Sequence, residues 1–354
     1  MRMKYKINDL LTDINFCNDS NFCDSQEYYG TSFIQKLLLK KYTDYGNLDK
    51  VFKILLSPSV SQKFRSTEET PYPLHLGYPS ARSFYTIKIF VGISNRELVG
   101  LISGTSNVGH YVSNSLEFEK YRIYIVKERE IALSTYSSIH NSLQLLESGH
   151  VLGCYNYIST LFDCSFVFKD YDDYNTVTFT NISKLANIYD KFGFVIDKFK
   201  HRSSGRYYGM LSNWNLNRNN YKFNEISNLD IARISKLTDE NVQSVIPISY
   251  TNHKDSKNYL TDEFIQKEYP FLHPTFESVI TVLALNLSVC NTHNLEIYLE
   301  KIGALAQTIC MNNSSNHVVN RPVKQVIPKN WEKIDKFKRN KNLLPFYAVI
   351  TTVV

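Results

Sequence analysis

Between Ser138 and Phe162, the residues Ile139, Leu143, Leu146, His150, Val151, Cys154, Ile158, Leu161 and Phe162 recur at steps of three and four. That period predicts a long helix, and its wide apolar face predicts that the helix is central. Upstream, the pattern predicts short helices over Ser32–Leu39, running into Lys40-Lys41-Tyr42, and over Leu48–Leu56. Ser57–Pro79 is a loop-rich connection with prolines at 58, 71, 73 and 79. Extended segments are predicted over Tyr85–Ile93, Leu98–Ser103 and Tyr121–Val126. Gly104–Gly109 lacks the Gly-Lys-Ser/Thr ending of a phosphate loop and reads as a hairpin turn.

Past the central helix, Phe166–Lys169 and Thr176–Thr180 read as extended, Ile182–Phe192 as helical and Phe194–Phe199 as extended. Asn228–Ile234 reads as a short capped helix and Val245–Tyr250 as a strand closing this part of the chain. The remainder differs in pattern. Helices are predicted over Thr261–Gln266, Thr275–Leu287 and Asn294–Met311, and a terminal β-branched strand over Phe346–Val354. Such a strand must pair with the sheet of its own chain or with that of a partner. No internal repeat stands out. The expected organisation is an N-terminal segment (1–39), a main domain (40–250) and a helical extension ending in a strand (251–354).

Composition narrows the class. The chain has 354 residues, 43% of them hydrophobic, enough for a real core. A formal charge of +6 is modest, and the cluster Lys333, Lys336, Lys338, Arg339 and Lys341 reads as a solvated face, not a nucleic-acid site. Six cysteines (17, 23, 154, 164, 290 and 310) form no C-x-x-C pair and no zinc spacing, so no metal is expected and a reduced, cytoplasmic setting is. No secretory leader is visible, and the longest apolar run, Val279–Cys290, is too short to span a bilayer and reads as a buried helix.

Three segments carry candidate chemistry. Lys40-Lys41-Tyr42 offers point charges to an anion. Pro79-Ser80-Ala81-Arg82-Ser83 is a turn of small residues entering a strand, where backbone N–H groups and hydroxyls can face a flat ligand. Glu147-Ser148-Gly149-His150 lies on the central helix. Taken singly, each has an ordinary reading: a solvated helix end, a loop into a core strand, a satisfied core histidine.

In this order the three segments resemble the nitroreductase-type flavoproteins, and within them the dehydrogenases of thiazole/oxazole-modified peptides, the streptolysin-S and microcin oxidase type. Lys40-Lys41-Tyr42-Thr43-Asp44-Tyr45 stands where that family has its phosphate-binding arginines. Pro79 to Val91 is similar to the family's Pro-Ser-Gly/Ala-Gly loop and following strand, and Leu145 to Asn156 to its Leu-x-Glu-Ala-Gly-His helix. The likeness covers roughly residues 40–250. It implies an α+β fold with a central, mainly antiparallel sheet flanked by helices. It also implies bound FMN and a homodimer, because flavin sites in that fold usually lie between two chains. The cofactor-binding residues it implies are Lys40, Lys41, Tyr42, Ser80, Ala81, Arg82, Ser83, Glu147, Ser148, Gly149 and His150.

The chain departs from the pattern at several points. Ala81-Arg82-Ser83 replaces paired glycines, Gly153-Cys154 replaces Gln-Asn, and lysines replace the arginines. Where the azoline oxidases carry a Lys-Tyr pair ahead of the helix, this chain has Thr135-Tyr136, leaving Tyr136 as the candidate acid or base. Three functions stay open. One is an FMN-dependent azoline dehydrogenase acting on a ribosomally synthesised peptide, alongside other enzymes of a peptide-modifying complex. The second is an NADPH-supplied flavin reductase of dehydroalanine or dehydrobutyrine in lanthipeptides. The third is a non-catalytic member of the fold that binds a peptide or partner.

Overall fold

The computed structural model describes most of residues 33–187 and 244–353, together with Gly193, Val195 and Phe199. Within those ranges 61–62, 65–73, 82–83, 103, 130–131, 133–138, 172, 255, 271, 273–277, 291–294, 314–317, 324–325 and 327 are not described. Arg82, Ser83, Thr135, Tyr136 and the helix predicted over Asn228–Ile234 therefore lie outside the described residues.

Two antiparallel sheets, each with its own buried helix, organise two compact units. The first sheet has the order β1-β6-β5-β4-β7-β9-β8. Its strands are β1 (Leu38–Asp44), β4 (Ile87–Gly92), β5 (Glu97–Leu101), β6 (Asn107–Val112), β7 (Ile123–Lys127), β8 (Phe166–Asp170) and β9 (Tyr174–Phe179). Two short strands, β2 (Lys63–Phe64) and β3 (Leu74–His75), pair with each other. The helices of this unit are α1 (Lys50–Leu56), α2 (His140–Leu161) and α3 (Ile182–Asn187).

β4 and β7 are apolar runs buried along nearly their whole length, as strands covered on both faces must be. Asn107–Val112 returns from Glu97–Leu101 as the hairpin expected at Gly104, whose φ of 79° is the left-handed conformation such a turn needs. The long helix predicted over Ser138–Phe162 is α2. It is buried almost all round, including Ser142, Gln144, Glu147, Ser148 and His150. Tyr155 Oη donates to the Leu55 carbonyl at 2.7 Å, which joins α2 to the end of α1. The close approach at Gly77 belongs to the same layer: a Cβ there would meet the Pro58 carbonyl oxygen at 2.8 Å.

In the second unit the sheet order is β10-β11-β13-β12, from β10 (Val245–Thr251), β11 (Ser278–Asn286), β12 (Val318–Val323) and β13 (Leu343–Val353). Its helices are α4 (Asp262–Glu268), α5 (Leu295–Asn312), α6 (Pro328–Trp331) and α7 (Asp335–Arg339). The core gathers Tyr250, Tyr269, Val282, Trp331, Phe337 and Ile350. Proline follows the sheet rules. Pro247 and Pro322 sit on the edge strands, and Pro345 sits where the β11–β13 register shifts, so the ladder hydrogen bonds missing at proline cost little.

Several sequence expectations are corrected. Thr275–Leu287, expected as a helix, contains the central strand β11. Val279, Ile280, Thr281 and Val282 are β-branched, and a short apolar run buried on both faces suits a strand as well as a helix. The C-terminal part is accordingly a sheet with helices on it. Of the helix expected over Ser32–Leu39, the described residues keep one 3-10 turn, Ile34–Lys36, whereas Leu38 and Leu39 with the following Lys40-Lys41-Tyr42 belong to β1, held by cross-strand pairing to β6. Val195 and Phe199, placed in an extended segment, are helical. The terminal strand pairs on both sides within its own chain, with β11 and β12, so its edges are not free to reach a second chain. Val245–Tyr250 is indeed a strand, but it pairs with β11, and the boundary expected at 250/251 cuts it. No helix among the described residues is long and apolar enough to cross a membrane.

Candidate functional site

Between β3 and β4, hydrogen bonds tie Leu76, Tyr78, Ser80, Tyr85, Thr86 and Ile87 to one another and to α2. The Tyr78 hydroxyl donates to the Ile87 carbonyl at 3.0 Å, and the Tyr85 hydroxyl accepts from the Leu76 N–H at 2.9 Å. The two rings meet edge to face, 5.4 Å between centroids and at 86°. Tyr85 takes a φ of 51°, a left-handed conformation that costs a tyrosine of order 1 kcal/mol and persists only where neighbours over-determine it. Here the buried ring, the hydroxyl and the backbone all have partners. Beside it, Phe84 is 47% exposed.

Glu147 of α2 is the hub of this network. Its Oε2 accepts from the Ser80 hydroxyl at 2.8 Å and the Thr86 hydroxyl at 3.2 Å, and its Oε1 accepts from the Ile87 N–H at 3.1 Å. Ser80 Oγ in turn accepts from the Tyr85 N–H at 2.9 Å. Burial raises the Glu147 carboxyl to a pKa of about 7, against the three hydrogen bonds and the nearby Lys88 charge, which all favour the carboxylate. Lys88 reaches the Tyr85 carbonyl at 3.4 Å and pairs with Glu128 at 3.5 Å. Burial also raises Glu128, with Lys88 opposing. Tyr78 is pushed well above the ordinary phenol value by burial and then by the Glu147 charge.

The structure thus brings together Ser80 and Glu147, two of the residues singled out from the sequence, with Ala81 next to Ser80 in the chain. Ser148, next on the helix, accepts from Asn175 Nδ2 of β9 at 3.1 Å. Gly149 and His150 are buried in the same turn. Gln144, about one turn before Glu147, is buried, and its Nε2 has no hydrogen-bond partner among the described residues.

Lys40, Lys41 and Tyr42 lie elsewhere, on the edge strand β1. Three strand spacings separate β1 from β4 in the sheet order, about 14 Å. Lys40 is exposed and pairs with Glu97 at 3.0 Å. Lys41 stands opposite His110, whose pKa is lowered by burial and then by the Lys41 charge, with Glu97 opposing. Tyr42, Leu38 and Leu39 are all exposed apolar residues of this strand.

Sequence reasoning missed Thr86, the Ile87 N–H, Gln144 and the Lys88–Glu128 pair. A signal was present for Thr86: a hydroxyl residue among Tyr85, Ile87, Ile89 and Val91 needs a partner once that strand is buried. Nothing local marks Gln144, because its neighbours come from other elements.

Comparison with solved structures finds the same fold in a presumed nitroreductase from Anabaena variabilis, with a TM-score of 0.59 at 10% identity, covering 93% of this chain and 92% of that one. The fold of this chain is therefore nitroreductase-like. No protein-family model matches the sequence, and no curated protein matches it.

Proposed function

We propose that the chain is an FMN-dependent oxidoreductase whose ring-binding loop is Tyr78–Ile87. The observation that carries this reading is the Glu147 hub. A helix buried under the sheet holds Ser80, Thr86 and Ile87 through one carboxylate, and Ser80 is only partly buried. The buried Gln144 Nε2, without a hydrogen-bond partner among the described residues, is a second donor suited to a polar ring atom. These donors fit a flavin ring, which needs hydrogen bonds along one edge. Lys41, which has no carboxylate partner among the described residues, is the proposed phosphate cation, as the family resemblance implies.

Bound FMN would supply a reversible two-electron acceptor. The chain's own part would be to hold the ring against Ser80 and its neighbours, and to keep water from beneath it with the buried Tyr78 and Tyr85 rings. Tyr136 keeps its proposed role as proton donor or acceptor. The proposed substrate is a ribosomally synthesised peptide, and the proposed assembly is a homodimer. A binding role without catalysis is the second reading, supported by Lys40 already being paired with Glu97 and by the exposed Leu38, Leu39 and Tyr42 on an edge strand.

The test is the visible spectrum of protein purified under mild conditions, with mass spectrometry of the released cofactor. FMN in near-stoichiometric amount supports the first reading. Colourless protein that stays colourless with added FMN refutes it. Two hydrogens lost or gained per modified peptide site then separate dehydrogenation from reduction.

A further inference from the structure

We propose that β1 is a docking edge, on which an extended peptide of alternating apolar and acidic residues adds as a further strand. This rests on the reading in which the chain binds a peptide, and it gives Lys41 a carboxylate where the flavin reading gives it a phosphate.

Among the described residues, β6 is the one neighbour of β1 in its sheet. The Tyr45 N–H donates to the Ser106 carbonyl at 2.8 Å, which fixes the residues that face inward. Counting back along the antiparallel register, Thr43 opposite Val108 and Lys41 opposite His110 are the hydrogen-bonded pairs. Tyr42 and Asp44, opposite Gly109 and Asn107, therefore turn their backbone N–H and C=O groups away from β6, toward the place of a further strand. The second sheet has a proline in each edge strand, Pro247 in β10 and Pro322 in β12, whereas β1 has none.

The two faces of this edge differ in chemistry. The register shifts between Leu39 and Lys41, which sets Leu39 opposite Tyr111 and Tyr42 opposite Gly109. Gly109 and Tyr111 point to one face of β6, so Leu39 and Tyr42 share that face. They are 44% and 58% exposed. Tyr111 continues the face inward, its pKa raised by burial and then by the Tyr42 phenol. On the other face, Lys41 stands opposite His110, and Lys40 reaches Glu97. An added strand sends alternate side chains to opposite faces, so apolar residues meet Leu39 and Tyr42 while acidic ones meet Lys40 and Lys41. A second copy fits poorly, because two β1 strands paired antiparallel about Lys40-Lys41 set lysines against lysines. Pairing of β1 with the β8 edge of another copy leaves a free edge at each end and does not close.

The probe is a fluorescein-labelled peptide of about ten alternating Val and Glu residues, added to the full chain and followed by anisotropy. Three changes should each weaken its binding about tenfold or more: Lys40→Glu with Lys41→Glu, a block peptide of the same composition, and N-methylation of alternate probe residues, which removes the donors to the β1 carbonyls. The altered probes leave the protein untouched, so its folding does not enter. In residue-resolved hydrogen exchange, the bound probe should slow Tyr42 and Asp44, whereas Lys41 and Thr43, already paired to β6, should change little. Binding insensitive to these changes, protection on β8 instead of β1, or displacement of the probe by FMN overturns the β1 site and leaves peptide binding itself standing. Dimers that protect Tyr42 and Asp44 without the probe assign the edge to a second copy and overturn it as well. If the alternating probe does not bind, the site is overturned; binding of the block peptide or of a Lys-Val peptide then sustains the peptide-binding reading, and binding of neither refutes that reading too.

Discussion

Glu147→Gln is the most informative single substitution, because it removes a charge and keeps the shape. The wild-type carboxyl has a pKa of about 7 in the folded chain and 4.5 as an ordinary glutamate. A folded state that holds the proton more tightly gains stability at low pH. That contribution is complete below the unfolded value of 4.5 and is lost as pH rises to about 7. Two and a half pH units at about 1.4 kcal/mol each give about 3 kcal/mol, an order-of-magnitude figure for a fully buried group. Glutamine carries no charge in this window. It also keeps an acceptor for the Ile87 N–H, and the Ser80 and Thr86 oxygens can accept from its amide. The difference in stability between wild type and variant should therefore move in the variant's favour by about 3 kcal/mol between roughly pH 4.5 and pH 8. Glu128 and Glu268, which burial also raises, are common to both proteins and cancel in the difference. Urea unfolding at a series of pH values, with hydrogen exchange of β4 peptides to follow the first unit by itself, measures it. Stability curves that run parallel across this range would refute the assignment of a neutral-range carboxyl to Glu147.

Three further outcomes follow from the packing. Tyr85→Phe removes the hydroxyl that accepts from the buried Leu76 N–H and should cost about 1 kcal/mol in chemical unfolding, with the aromatic packing retained. Gly92→Ala puts a Cβ 2.0 Å from the Glu119 carbonyl oxygen, so it should destabilise the first unit by more than about 3 kcal/mol or prevent its folding; a melting point within a few degrees of wild type contradicts the geometry. Asp170→Ala removes a carboxylate 3.4 Å from the Lys127 ammonium, whose side chain is only 5% exposed, and should cost about 1.5–3 kcal/mol in urea unfolding at neutral pH.

Most elements of the first unit were legible in the amino-acid order. Helix α2, strands β4, β5 and β7 and the turn at Gly104 each follow from a period or a turn residue carried by consecutive positions. The site was legible in part. Ser80 and Glu147 were singled out, 67 residues apart in sequence, and they form a direct hydrogen bond. What each does was not legible. Glu147 reads from sequence as a ligand-facing residue, whereas in the fold its hydrogen bonds go to the loop.

The amino-acid sequence by itself determined where apolar residues alternate or recur, and so which stretches must be buried and where the chain turns. It did not decide between helix and strand for Thr275–Leu287 or Ser32–Leu39, because a short run fully covered on both sides, or lying at a sheet edge, has no diagnostic period. Only the tertiary structure supplied the pairing partners that made strands of Ser278–Asn286 and Leu38–Asp44. Only it placed the Ser80 hydroxyl, the Thr86 hydroxyl and the Ile87 N–H around one buried carboxylate. The desolvation that raises Glu147 toward neutrality is a property of the surrounding elements, not of any neighbouring residue in the chain.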